Sequence, residues 1–157
     1  MEQVNQRPAL HPAYASGKPV SVGLYADERW SYGGSKRSPR WRWWVQDVAS
    51  AEVVGFVFGR RTHATFDRLR QLLVYAGLRV AWWITDAGWA YGDRLPAEQR
   101  VADKTQLQRL ERKHLTLRTR LKRLTRKTIG FSKKAFFHDG IISLFIHHFF
   151  FHIPDST

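Results

Sequence analysis

The period of the apolar residues changes once along this chain, after Gly59, and that switch limits the fold more than any other feature. Before it lie three runs of strand character. Residues 20–26 place apolar groups at every second position, and residues 41–46 and 53–58 are rich in aromatic and β-branched side chains. The first run is expected to end at Asp27 and Glu28. Gly33, Gly34 and Pro39 supply turn chemistry after it, and residues 47–52 can turn between the other two, so the three strands predict an antiparallel meander. After Gly59 the spacing becomes helical. Phe66, Leu69, Leu72 and Leu73 mark a helix over residues 62–75, with Gly77 placed to stop it. Residues 80–84 (Val-Ala-Trp-Trp-Ile) then form an unbroken apolar run, the pattern of a strand covered on both faces. Residues 87–103 mix loop with a short helix, and a weak strand is expected near Arg100 and Val101. Leu107, Leu110, His114, Leu117, Leu121 and Leu124 are spaced three and four apart, which predicts a long helix that Gly130 ends. Strands, helix, buried strand, helix is an α/β pattern with a mixed sheet.

A chain of 157 residues is expected to be one domain with a true core, at 43% hydrophobic and 25% charged residues. Residues 1–18 carry two prolines and no cluster of large apolar groups, so they read as a loose leader. Residues 19–134 hold the periodic elements, and residues 135–157, rich in Phe and Ile, are expected to pack on them as a helix or strand. With no cysteine, a disulfide scaffold, a thiolate zinc site and a cysteine nucleophile are excluded. Neither a secretory signal nor an apolar run long enough to span a bilayer is evident, so a soluble, cytoplasmic chain is expected.

The charge is uneven. The net charge is +13, and residues 104–134 contain twelve basic residues against one acid, Glu111. A charge run is ordinarily a solvated helix face, yet here there are almost no acids to make helix salt bridges. Arg112, Lys113, Arg118, Arg120, Lys122, Arg123, Arg126 and Lys127 therefore predict contact with a polyanion, nucleic acid before an anionic membrane surface.

Three carboxylates stand out against this background. Asp27 closes the first strand run and Asp86 follows the buried strand, so pairing of those strands would bring both acids to one edge of the sheet, beyond the strand ends where α/β proteins place ligands. Glu111 lies roughly 40° around the helix axis from Leu107, beside the apolar stripe, and is expected to face the sheet. Arg118 sits nearly two turns further along the same side. Converging acids need cations, and their hard oxygens suit Mg²⁺ or Mn²⁺, two of which about 4 Å apart can activate a nucleophile and stabilise a leaving oxygen of a phosphodiester. Spacing alone leaves a plainer reading open, with the aspartates as turn or cap residues and Glu111 as a surface group.

The residues around these acids resemble the catalytic part of insertion sequence 1 family transposases, which are DDE recombinases. Asp27-Glu28-Arg29-Trp30-Ser31-Tyr32 is similar to the family's Asp-Glu-x-Trp-x-Tyr opening, and Phe58-Gly59-Arg60-Arg61-Thr62 to its Phe-Gly-x-Arg-Thr. Thr85-Asp86 with Trp89 resembles the second-aspartate motif, with Ala87 as a one-residue departure in spacing. The run from Arg109 through Glu111 and His114 to Arg118 resembles the third-acid helix, and 24 residues separate Asp86 from Glu111. Arg126-Lys127-Thr128, Phe131-Ser132-Lys133 and His138-Asp139 extend the likeness, which covers about residues 24–146.

The resemblance implies a ribonuclease H-like mixed sheet flanked by helices, with Asp27, Asp86 and Glu111 binding two Mg²⁺ or Mn²⁺ ions. It implies that Arg118 contacts DNA, that water cuts a phosphodiester at the transposon end, and that the freed 3′-hydroxyl attacks target DNA. Homo-oligomers on paired ends and a bacterial, nucleoid-associated location are implied as well. The family's complete enzyme adds a zinc-binding and helix-turn-helix region from an upstream reading frame. This chain lacks the cysteines for that module, so end recognition is expected to come from such a partner. The alternative is a basic, non-catalytic DNA-binding remnant whose acids no longer converge. Trp30 and Trp89, beside the acids, are candidates for substrate contact, while Trp43, Trp44, Trp82 and Trp83 fall in strand runs and read as core. His114, one turn from Glu111, can orient the site. His147, His148 and His152 lack a completing ligand and read as core or surface groups.

Overall fold

A computed structural model describes residues 9–15, 20–32, 34–37, 39–85, 89–101, 107–121 and 134–151. Its strands are β1 (Ala9–Leu10), β2 (Val20–Tyr32), β3 (Pro39–Asp47), β4 (Val53–Gly59), β5 (Leu78–Thr85) and β6 (Arg100–Val101). They form one mixed sheet in the order β1-β4-β3-β2-β5-β6. The meander is present, since β2 pairs antiparallel with β3, and β3 with β4. Past it, β5 returns parallel to β2, and β6 parallel to β5. The helices are α1 (His63–Tyr75), α2 (Trp89–Gly92), α3 (Leu107–Arg120) and α4 (Ala135–Phe149).

Two apolar layers hold the sheet. On one face Leu24, Ala26, Trp43, Val57 and Trp83 pack with Phe66, Leu69 and Leu73 of α1 and with Tyr91 of α2. Thr62 caps α1 by accepting a hydrogen bond from the Thr65 amide, and Gly77 at φ 74° makes the left-handed exit to β5. On the other face Trp44, Phe56 and Phe58 pack with Leu117 of α3 and with Ile142, Phe145 and Ile146 of α4. The described part of the apolar tail is thus a helix on the sheet, and its buried stripe takes residues three and four apart.

Three expectations change, and a fourth falls outside the described residues. Within the stretch read as a loose leader, β1 adds to the edge of β4 and His11 is buried, its amide donating to Val54 O at 2.6 Å. β2 does not stop at Asp27 but runs to Tyr32, because both acids find partners on opposite faces of the strand. β5 is covered on both faces only near Trp83 and Ile84; Ala81 is exposed and Trp82 half-buried. The described part of α3 ends at Arg120, and Gly130 lies outside the described residues.

Trp82 lies flat against Gly23, at the register shift between Val22 and Gly23 where β2 and β5 slip past one another. A Cβ on Gly23 would overlap the indole. Gly23→Ala is therefore expected to cost about 1–3 kcal/mol in urea unfolding, as overpacking does. Gly140, inside α4 with open space around its missing Cβ, should respond with the opposite sign. There an alanine should add about 0.5–1 kcal/mol of stability through helix propensity.

Candidate active site

The site grows from alternation along β2. Successive side chains point to opposite faces, so Glu28 and Asp27 part company. Glu28 turns to the α1 face, where Arg61 donates to it through Nε and Nη2 at 3.1 and 2.9 Å and the Tyr91 hydroxyl donates to its other oxygen. Asp27 turns to the face covered by α3. It lies beside Ala26, which pairs with Thr85 at the last register position of the parallel β2–β5 ladder. The chain leaves β5 there toward Asp86, which lies outside the described residues.

Asp27 is buried, at 8% exposure, with two nitrogens against one oxygen. His114 Nε2 and Arg29 Nε each approach Asp27 Oδ2 to 2.9 Å. Neither N–H points squarely along its line, and Oδ2 is left buried without an aligned hydrogen bond. Burial pushes the Asp27 carboxyl up, but the contact with His114 and the charges of Arg29 and Arg42 together outweigh it. The net shift is below the ordinary carboxylate value, so Asp27 is ionised. Burial drives His114 the other way, down to about 4 against the opposing pull of Asp27, so its imidazole is neutral near pH 7.

Around this pair β3 contributes residues that the sequence reading does not single out. Arg42 is buried, and its Nη2 lies 2.8 Å from His114 Nδ1. Its guanidinium sits 4.4 Å over the Trp44 ring, and the Trp44 and His114 rings lie 3.9 Å apart. Burial lowers the Arg42 pKa to about 9, which still leaves it charged. A second polar cluster stands further along the same face. Ser31 Oγ donates to Arg40 O and lies 2.7 Å from His138 Nε2, while Arg40 grips buried Asp139 with Nε and Nη2. These contacts pin the first turn of α4 to the β2–β3 hairpin. The signal for both clusters is in the sequence: Arg40 and Arg42 alternate with tryptophans in a strand otherwise buried, where each cation needs a partner.

Glu111 departs from expectation. Its side chain is 53% exposed rather than covered by the sheet, and its described contact is Arg29 Nη2 of β2 at 4.0 Å. The expected stripe turns inward at His114 and Leu117, and Glu111, three residues before His114, falls at the rim. Arg29 thus stands between two of the three acids. Among the described residues no three His, Asp or Glu side chains come close enough to hold a metal ion.

Of the basic residues, Arg112, Arg118 and Arg120 are exposed on α3. Lys113 is half-buried over the Phe150 ring at 5.3 Å, and Arg120 covers Phe149 at 5.3 Å. Lys122, Arg123, Arg126 and Lys127 lie outside the described residues, as does the side chain of Trp89. Trp30 is half-buried, its ring 5.5 Å from that of Tyr32. Trp43, Trp44 and Trp83 are core residues. His147 and His148 are exposed, and His152 lies outside the described residues.

The sequence matches the family described as IS1 transposase over residues 20–152. The insertion element IS1 9 protein InsB of Escherichia coli (strain K12) is 40% identical over 130 residues, 83% of this chain and 77% of the relative. The insertion element IS1 protein InsB of Haemophilus ducreyi matches to the same extent. The iso-IS1n protein InsB of Shigella dysenteriae is 39% identical over 121 residues, 76% of this chain and 90% of the relative. The family match takes in the β2 motif around Asp27, the helix that carries Glu111 and His114, and all of α4. The chain belongs to the IS1 transposase family.

Proposed function

We propose that this chain is the catalytic part of a DNA transposase, cutting and joining phosphodiesters with divalent metal ions held by Asp27, Asp86 and Glu111. The observation that carries this reading is Asp27: a buried, ionised carboxylate at the end of a parallel strand pair, with one oxygen left without an aligned donor. A carboxylate kept ionised at a strand end offers the hard anionic oxygen that such a cation takes. The strand order and sense support a ribonuclease H-like sheet, with β2, β5 and β6 parallel at its centre and edge and β3 and β4 antiparallel beside them. When bound, Mg²⁺ or Mn²⁺ would lower the pKa of an attacking water or hydroxyl and neutralise charge on the phosphate. The protein's own part is to keep Asp27 ionised and oriented through His114, and to hold the DNA backbone on the exposed cations of α3. No covalent enzyme intermediate is needed.

The assignments of residues 19–134 to the catalytic domain and 135–157 to a packed tail are part of this reading. So are action as a homo-oligomer on transposon ends and target DNA, end recognition by an upstream-frame zinc and helix-turn-helix module, and a place in the bacterial cytoplasm at the nucleoid. Among the described residues no helix is long and apolar enough to cross a membrane.

One observation favours a second reading, the non-catalytic DNA-binding remnant: Glu111 is exposed, and Arg29 lies against both it and Asp27. Metal-dependent chemistry separates the two. Chain joined to its end-binding module should nick or join end-bearing DNA with Mn²⁺ or Mg²⁺, and Asp86→Asn should silence it with DNA binding intact. No metal-dependent cleavage from any form that binds ends would favour the remnant.

Both readings need the α3 cations to meet phosphates. Replacing Arg112 and Arg118 together by alanine should weaken DNA binding uniformly across sequences. It should also flatten the slope of log affinity against log salt by about 2, near 0.9 for each phosphate left without its cation. A salt titration with fluorescence anisotropy reads both, and an unchanged slope would remove these two residues from the interface.

A further inference from the structure

Arg42 is a cation buried in the sheet, and its described polar contact is with a histidine. It lies on β3 opposite Arg29 of β2, on the same face as Asp27 and Trp44. The guanidinium lies 4.4 Å over the Trp44 ring, and the His114 ring lies 3.9 Å from that ring between centroids. The contact from Nη2 to His114 Nδ1 is 2.8 Å, and on the far side of the same imidazole Nε2 is 2.9 Å from Asp27 Oδ2.

Donor and acceptor rules then leave one arrangement. A guanidinium has five N–H donors and no acceptor, so a 2.8 Å contact with it requires a lone pair on Nδ1. A neutral imidazole with a lone pair on Nδ1 carries its proton on Nε2, and Nε2 is the atom that meets the Asp27 carboxylate. With the other tautomer, N–H would face N–H at Arg42, and a nitrogen lone pair would face a carboxylate oxygen at Asp27. Both contacts would turn repulsive at once.

We propose that Arg42 is a positioning residue: stacked on Trp44, it donates to His114 Nδ1 and so fixes the imidazole proton on Nε2, against the Asp27 carboxylate. The N–H on that side flanks Asp27 Oδ2 at 2.9 Å, with Arg29 Nε at the same distance from that oxygen. The catalytic consequence rests on the reading of Asp27 as an acid of the reacting centre; the tautomer does not. Partners that orient a reacting-centre ligand in this way commonly change activity by about 10–100-fold.

The test is heteronuclear NMR of the imidazole nitrogens of the full chain, beside cleavage of end-bearing DNA by the chain joined to its end-binding module. In the wild type, His114 should show a protonated Nε2 and an acceptor Nδ1. Arg42→Met, which keeps the length of the stem without a donor, should lose that preference. Its cleavage should fall about 10-fold or more at unchanged DNA affinity, and Arg42→Lys should restore part of both. A wild-type proton on Nδ1 overturns the proposal whether or not any variant folds. So does an unchanged tautomer in folded Arg42→Met. If the tautomer follows Arg42 while no form cleaves DNA, the positioning contact stands and the catalytic reading falls.

Discussion

Asp27→Asn is expected to lower metal-dependent DNA cleavage about a thousandfold, equivalent to about 4 kcal/mol of transition-state stabilisation, while DNA affinity stays within about twofold. The substitution keeps the shape of the side chain and removes its charge. An amide cannot supply the anionic oxygen that a hard cation requires, and its NH₂ would confront the N–H groups of His114 or Arg29, each now 2.9 Å from Oδ2. The basic face of α3 is untouched, so binding should persist. Stability should also fall, because Arg42 is buried and Asp27 is the charge that offsets it. Glu28→Gln is the informative control. Glu28 is equally buried and adjacent in sequence, but it serves Arg61 and Tyr91 on the opposite face. It should unfold more easily and yet cleave normally per folded molecule. Loss of activity in Glu28→Gln with Asp27→Asn active would reverse the assignment of the two acids.

The elements set by local period are legible in the sequence, and those set by distant partners are not. Residues 53–58 read as a strand from their aromatic and β-branched side chains and residues 62–75 as a helix from spacing, and Gly77 marks a helix stop because few other residues accept its φ of 74°. The extension of β2 through Asp27 to Tyr32 is not legible. Charged residues normally end a buried strand, and only the pairing of Asp27 with Arg29 and His114 and of Glu28 with Arg61 lets this one continue. The docking of Ala9 and Leu10 on β4 is hidden for a related reason, since a two-residue strand has too little pattern to show a period.

At the site, the acids are legible and their surroundings are not. Asp27 stands out because of the motif around it, and His114 because it interrupts a leucine stripe. Arg42 hides in an aromatic strand, although an arginine at an inward strand position signals a buried polar network. Helix angle alone places Glu111 against an ideal stripe. The helix rolls so that His114 and Leu117 are its deepest described residues, which moves Glu111 to the rim beside Arg29. Angles about an axis fix which residues share a face, whereas packing decides how far that face is turned.

Trp44 is where fold and site depend on one side chain, and Trp44→Ala should have the largest stability effect of any single truncation near the acids. Its indole is fully buried, 3.9 Å from the His114 ring and 6.0 Å from that of Phe150 by centroid, with the Arg42 guanidinium stacked on it. Removing it opens a cavity between sheet, α3 and α4, and strips the stacking surface from a buried cation. Large aromatic truncations cost about 3–5 kcal/mol, which for a chain of this size lowers the melting temperature by roughly 10–15 °C. Trp43→Ala should cost a similar amount, since Trp43 is equally buried, but on the other face against Phe66 and Tyr91. The two then diverge. At a temperature where both are folded, Trp43→Ala should keep the His114 proton on Nε2 and retain cleavage, whereas Trp44→Ala should lose both. Thermal denaturation followed by circular dichroism gives the first comparison, and imidazole NMR with a cleavage assay gives the second. Equal losses of activity in the two variants would mean that the α3 face has no special hold on the chemistry, because neighbouring indoles on opposite sides of one strand would then matter only as core.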